Sequence, residues 1–449
     1  MKGQKKMLFK RTKKFFLGLV VATTAFAASA GIFSVPQVSA DSTNVQDLNL
    51  DVKSAIAVDA KTGQILYAKN ENQALPIASM SKLISIYLVL QAIKEGKLSW
   101  NQKVSVDSDS YEVSQDTTMS NVPLLKNHTY TVKQLYQASL IYSANGAVMT
   151  LANAVSGSQK KFVDKMRSLV KSWGIKDAEL YTSSGLDNDQ VGNAKYPGAS
   201  SDAVNKLSAK DMALVAEKIL KYYPDILKTT SITKMKFNNG TSETEMENWN
   251  WMLKGLSSAY TELPVDGLKT GTSDSAGADF TGTVHKDGHR IITVVMGAQH
   301  TSDTDMSRFT QTQKLMSYVY NNFTYTKIAA NQTFKKASSL PTFHGKKLTA
   351  KVVNQKSTNI WLKNGVSSKN ISAKLAANKK LYKNGGLGAP LAKGKNVGTL
   401  SLSVKGQQLS FLNGSTKLKL AAVNTQKIEK ANIFVIMGRS IKNFFSNLF

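Results

Sequence analysis

Apolar residues on either side of Lys61-Thr62-Gly63 make residues 54–68 read as a β-hairpin turning at those three positions. A helix-spaced set follows: Leu83, Ile84, Tyr87, Leu88 and Ile93, starting near Ser79 and stopping at Gly96. The same period recurs over 132–142, 158–172, 208–221 and 303–320, while 278–285 and 290–298 read as strands. Strands at both ends of a segment with helices between them predict a sheet closed by its termini and covered by helices, an α/β or α+β arrangement. Further on, the pattern changes to a period of two. Lys347–Val353, Asn359–Leu362, Gly398–Val404, Gln408–Leu412 and Leu418–Leu420 alternate apolar and polar residues between Gly and Asn, and predict a small antiparallel β domain.

The two ends differ from everything between them. Seven basic residues and no acid precede an apolar stretch from Phe15 to Phe33, and Val38-Ser39-Ala40 has the small residues a signal peptidase reads. This is the pattern of a secretory signal peptide over 1–40; the competing reading is an uncleaved membrane helix. From Lys427 onward, Ile433, Phe434, Met437, Ile441, Phe444, Phe445, Leu448 and Phe449 share one helical face. Arg439, Lys442, Asn443 and Ser446 share the other. The apolar runs are too short to span a bilayer, so residues 426–449 read as an amphipathic helix lying in the membrane interface, or else docked on the protein's own core.

Charge sharpens this division. The formal net charge of the 449 residues is +28. Residues 41–325 balance, with 29 positive and 29 negative side chains, whereas 326–425 carry 18 Lys, no Arg and no acid. The contrast marks a domain boundary at Thr324–Asn331 and gives four segments: 1–40, 41–325, 326–425 and 426–449. The lysines serve either solubility or attraction to anionic lipid or a phosphate-bearing wall polymer. An exported chain has no call for nucleic acid. With no cysteine there are no disulfides, thiolate nucleophiles or Cys-ligated metals.

Three short motifs lie in the neutral segment: Ser79-Met80-Ser81-Lys82, Ser143-Ala144-Asn145 and Lys269-Thr270-Gly271-Thr272. Each is weak alone, because S-x-x-K recurs at Ser158, Ser168 and Ser231, S-x-N at Ser42, Ser357 and Ser368, and K-T-G at Lys61. Order and context separate the set from these copies: Ser79 opens an apolar helix, Ser143 follows the end of one, and Lys269 leads into strands. Residues i and i+3 share a helical face, so the Lys82 amine can reach the Ser79 hydroxyl. A serine needs a base, and a lysine becomes one when burial and a second cation lower its pKa, a part suited to Lys269. The backbone N–H groups of Ser79 and Thr272 are the expected oxyanion hole. The five histidines sit in no G-x-S-x-G or H-E-x-x-H pattern, and His285 and His289, flanking the turn at Lys286-Asp287-Gly288, read as surface residues. No phosphate-binding glycine loop is present, and no metal or cofactor is expected.

With these motifs the chain resembles the low-molecular-mass penicillin-binding proteins that are serine-type D-alanyl-D-alanine carboxypeptidases. Val58–Tyr67, Pro76–Met80, Ser184–Asp187, Leu207–Ala213 and Asp266–Gly271 add to the likeness, which extends over nearly the whole chain. It implies a penicillin-binding/β-lactamase-like catalytic domain, a β-rich C-terminal domain and an amphipathic tail. It implies that Ser79 attacks the bond between the two terminal D-Ala residues of a peptidoglycan stem pentapeptide, with Lys82 as base. Ser143 and Lys269 would pass the proton to the leaving group, Asn145 would bind the substrate amide, and Lys269, Thr270, Gly271 and Thr272 would hold its carboxylate. β-Lactams would acylate Ser79. Asp279 departs from the pattern, standing where an uncharged residue is expected. Two rivals remain: a class A-like β-lactamase, for which the Glu-x-x-x-Asn pattern is not evident around Thr182–Gly192, and an inactive wall-binding protein.

Overall fold

A computed structural model describes residues 48–446. The signal-peptide expectation at 1–40 lies outside the described residues, as do Leu448 and Phe449 and the side chain of Phe445.

The centre of the catalytic part is a five-stranded antiparallel sheet: β1 (Ser54–Asp59), β2 (Ile65–Lys69), β3 (Val265–Ser273), β4 (Gly277–Lys286) and β5 (His289–Ala298). Its order is β2-β1-β5-β4-β3, so the first strand of the segment pairs with its last, as the pattern of strands at both ends predicts. Every residue of β1 is buried, because side chains of alternate parity meet different layers. Ile56 and Val58 join one core with Leu83, Ile84 and Met212, while Ala55 and Ala57 join another with Phe280, Phe309 and Met316. Helix Ala209–Tyr222 covers the first face, with helix Lys82–Lys94 packed against it, and helix Ser307–Asn322 covers the second. The 132–142 and 158–172 periodicities become helices Val132–Ile141 and Gln159–Ser172, capped by the side chains of Thr131 and Ser158.

The C-terminal part is all-β. A seven-stranded sheet runs in the order Ile371–Ala377, Asn396–Val404, Leu418–Asn424, Thr349–Asn354, Ser339–Phe343, Gly386–Gly388, Tyr382–Lys383. One pair in it is parallel, Ser339–Phe343 with Gly386–Gly388, so the domain is not purely antiparallel. Gln408–Leu412 does not become a strand: only Phe411 forms a bridge, to Gln64, because Leu409 and Phe411 turn inward as core plugs.

The turn of the β1–β2 hairpin is where the two parts meet. Gln64 and the backbone of Trp361 exchange hydrogen bonds, both 2.9 Å, and the Trp361 indole donates to Asp59 at 2.8 Å. Leu412 N–H reaches the Gly63 carbonyl at 2.9 Å. This junction corrects the reading of His289. His285 is exposed, but His289 is buried against Tyr325 and Trp361, with ring centroids 4.5 Å apart in each case, because the strand's first residue faces the docked β domain.

Helix Ile433–Ser446 follows the β domain. Arg439 donates to the carbonyls of Gly345 and Lys346, while Ile433, Phe434, Met437 and Ile441 stand exposed. Among the described residues no helix is long and apolar enough to cross a membrane.

Candidate active site

Ser79 does not sit on the α-helix itself. It belongs to a 3₁₀ turn, Ala78–Ser81, and the α-helix begins at Lys82. The tighter turn matters, because side chains three residues apart eclipse in a 3₁₀ turn and overlap more closely than in an α-helix. Lys82 Nζ lies 2.8 Å from Ser79 Oγ. Met80 and Ile77 anchor the turn in the core, leaving Ser79 half-buried and facing a cleft of about 720 Å³.

Lys82 is fully buried, and its amine has two further neighbours. Asn145 Oδ1 accepts at 2.7 Å and the Ser184 carbonyl at 2.8 Å. These two acceptors occupy the two N–H bonds of a neutral amine, which leaves the nitrogen lone pair for the Ser79 hydroxyl. Burial, and then the positive charge of Lys269, hold Lys82 well below the ordinary lysine range and favour that neutral form.

Each neighbour is fixed in turn. Asn145 opens helix Asn145–Ser156; its side-chain N–H and backbone N–H both donate to Ser120 O, and Asn121 Oδ1 caps the backbone N–H groups of Asn145 and Gly146. Ser184 is carried on a loop pressed against the Ser79 turn. Gly185 has φ +87°, and a Cβ there would fall 1.9 Å from the Ala78 carbonyl oxygen, so only glycine allows the approach. Asn205 fastens the loop to the turn, donating to Ser81 Oγ and Thr182 O, both at 2.9 Å.

Lys269, Thr270, Gly271 and Thr272 lie on β3 itself rather than ahead of it. A Cβ on Gly271 would come within 2.7 Å of the Ile77 carbonyl oxygen, so glycine lets the strand pack against the Ser79 turn. Thr270 and Thr272 line the cleft, while Lys269 is buried behind them and donates to the Thr270 carbonyl at 3.0 Å. Burial, reinforced by Arg308, pulls Lys269 down to about 7. Ser143 lines the cleft in the left-handed conformation, φ +60°; among the described residues its hydroxyl makes no hydrogen bond to either lysine. Trp249 and Trp251 contribute to the walls.

Sequence reasoning singled out Ser184–Asp187 without giving Ser184 a role, and it missed Asn121, Asn205 and Arg308. Ser184 acts through its carbonyl, and Asn121 and Asn205 through long-range contacts, so no local spacing marks them. Arg308 donates to the carbonyls of Gly271 (2.9 Å) and Asp279 (3.3 Å). Burial pushes Asp279 up to about 8, toward its uncharged form, so the departure from an uncharged residue is met chemically.

Comparison with known proteins gives the same order of parts. The D-alanyl-D-alanine carboxypeptidase family matches residues 40–300, and the C-terminal domain of penicillin-binding protein 5 matches 323–430. The chain belongs to the D-alanyl-D-alanine carboxypeptidase family. Among its relatives is D-alanyl-D-alanine carboxypeptidase DacF of Bacillus subtilis, 28% identical over 377 residues, 82% of this chain and 86% of the relative. Another is DacA of Escherichia coli, 26% identical over 418 residues, 91% of this chain and 93% of the relative. The solved structure of the peptidoglycan synthesis regulatory factor PBP3 from Streptococcus pneumoniae superposes with a TM-score of 0.70 at 35% identity, covering 85% of this chain and all of that one. Penicillin-binding protein 5 from Haemophilus influenzae shares the fold with a TM-score of 0.66 at 23% identity, covering 85% and 98%. Family membership makes this D-alanyl-D-alanine carboxypeptidase a serine-type hydrolase.

Proposed function

We propose that the cleft removes the terminal D-Ala from peptidoglycan stem pentapeptides through an acyl-enzyme on Ser79. Ser79 Oγ forms a bond to the carbonyl carbon of the penultimate D-Ala as Lys82 Nζ takes the hydroxyl proton. The C–N bond then breaks as the proton held by Lys82 passes to the departing D-Ala amine by way of Ser143 and Lys269, and water, with Lys82 again neutral as base, cleaves the resulting ester and restores the Ser79 hydroxyl. The N–H groups of Ser79 and Thr272 stabilise the oxyanion. Asn145 holds the substrate amide, and Lys269, Thr270 and Thr272 hold the free carboxylate, with Gly271 giving the strand its close approach. β-Lactams acylate the same hydroxyl.

The observation that carries this reading is the Lys82 amine with two acceptors filled and Ser79 Oγ at 2.8 Å. Ser79→Ala should keep the wild-type melting temperature, release no D-Ala from a pentapeptide and take up no penicillin mass adduct. Persistent release would mean that another group is the nucleophile.

The signal-like N-terminus supports export across the cytoplasmic membrane, and the exposed apolar residues of helix Ile433–Ser446 support peripheral attachment to that membrane. Deleting 427–449 should yield an active enzyme in the soluble fraction. Retention on membranes would assign the attachment elsewhere.

A further inference from the structure

The lysines of the C-terminal domain outnumber anything the fold uses. Seventeen of the 18 between 326 and 425 are exposed, Lys363 being the exception, and none has an acid of its own segment to face. Among the described residues the domain's one ion pair is Lys346 with Glu429, at 2.8 Å. A solvated surface ordinarily intersperses both signs, because like charges held together destabilise the compact state.

Strand register shows how the charges are arranged. Lys374 lies opposite Ser401, and Ser401 opposite Lys419, so a row of two lysines around a serine crosses three strands on the outer face. The opposite parity, Leu400, Leu402 and Ala422, fills the core. Further lysines sit at both ends of these strands. Lys369, Lys405 and Lys417 flank the end where Ile371 pairs with Val404 and Leu418 with Leu402. Lys379, Lys393 and Lys395 flank the other, where Ala377 pairs with Gly398 and Asn396 with Val423.

That distribution distinguishes two anionic partners. Six residue steps separate Ile371 from Ala377, about 20 Å at ~3.3 Å each. Screening at physiological salt confines a charged plane's pull to about 8 Å. A bilayer touching one end of the strands leaves the lysines at the other end outside its field. A flexible chain can follow the outer face from end to end.

We infer that the C-terminal domain binds a flexible polyanion of the cell envelope, a polymer with phosphodiester repeats, laid along the face marked by Lys374 and Lys419 and reaching the lysines at both ends. The site is separate from the catalytic cleft. It rests on the proposed export of the chain, and its failure would leave the Ser79 chemistry untouched.

The test uses the full chain with a fluorescent synthetic poly(glycerol phosphate), with uncharged dextran as the control polymer, and with vesicles of phosphatidylglycerol and phosphatidylcholine. Two variants carry three Lys→Gln changes each: Lys369, Lys405 and Lys417 in one, Lys379, Lys393 and Lys395 in the other. The expected result is polymer binding that weakens with salt, a loss of about tenfold in each variant, and a salt slope shallower by about three. D-Ala release from a short peptide stays at the wild-type rate in both. The proposal falls if the chain ignores the polymer, or if the Lys369/Lys405/Lys417 variant binds it as tightly as wild type. It falls too if only vesicles retain the protein and only the second variant releases it, which would make the bilayer the partner.

Discussion

Replacing Asn145 by Asp tests whether Lys82 works as a neutral base. The substitution keeps the shape of the side chain and puts a negative charge where Oδ1 now sits, 2.7 Å from the Lys82 amine. Between charge centres about 4 Å apart at an effective dielectric of about 20, the attraction is about 4 kcal/mol. At 1.36 kcal/mol per pKa unit this raises Lys82 by ~3 units before any offset. Burying the new carboxylate opposes the gain, since Asn145 is only 2% exposed, and a net rise of roughly 1–2 units remains. A raised pKa means less neutral amine at a given pH. The acid limb of kcat/KM for D-Ala release should therefore move to higher pH by that amount, with a loss of roughly 10–100-fold near neutrality that recovers as pH rises. Asn145→Ala serves as the control, because it removes the acceptor without adding charge and should not move the limb upward. If Asn145→Asp lowers the rate equally at every pH, Asn145 acts on the substrate alone and the neutral-lysine argument fails.

Lys269 titrates at about 7, so its positive charge fades as pH rises through 7 to 8. KM for a substrate with a free terminal carboxylate should rise over that range, and a flat KM would remove Lys269 from carboxylate binding. Asp279 makes a prediction about stability. Its folded pKa, about 8, lies above the unfolded 3.8, so its contribution is fully present below pH ~4 and is lost as pH climbs to about 8. The whole shift corresponds to a contribution on the order of 6 kcal/mol. Asp279→Asn should flatten the decline in melting temperature between about pH 5 and 8, and an unchanged decline would show that this carboxyl ionises freely.

The three short motifs were legible because each is local. Ser79 with Lys82, and Ser143 with Asn145, are short-range pairs whose spacing survives any tertiary arrangement. The hairpin at 54–68 and the strands at 278–285 and 290–298 were legible because their apolar runs are nearly unbroken. Helix Asn145–Ser156 was not, since its face near Gly146 is shaped by Ser110 and Ser114 on another helix, far away in sequence. His289 was misread because its burial comes from Tyr325 and Trp361, which reach it only after the β domain docks. Ser184 contributes a carbonyl, and every residue has one, so side-chain identity carries no sign of the role.

The Gln64–Trp361 exchange also bears on what the enzyme can reach. Swivelling one part against the other would strip Asp59 of its indole donor and expose a tryptophan that is 1% accessible. The junction ties the cleft to the β domain, and Arg439 ties the C-terminal helix to that domain through the carbonyls of Gly345 and Lys346. Were that helix to rest on a lipid surface, as proposed above, the junction would hold the distance between lipid and Ser79 near a fixed value. Trimming would then be confined to strands of wall lying at one altitude, and depth within the wall would select substrates as firmly as their chemistry does.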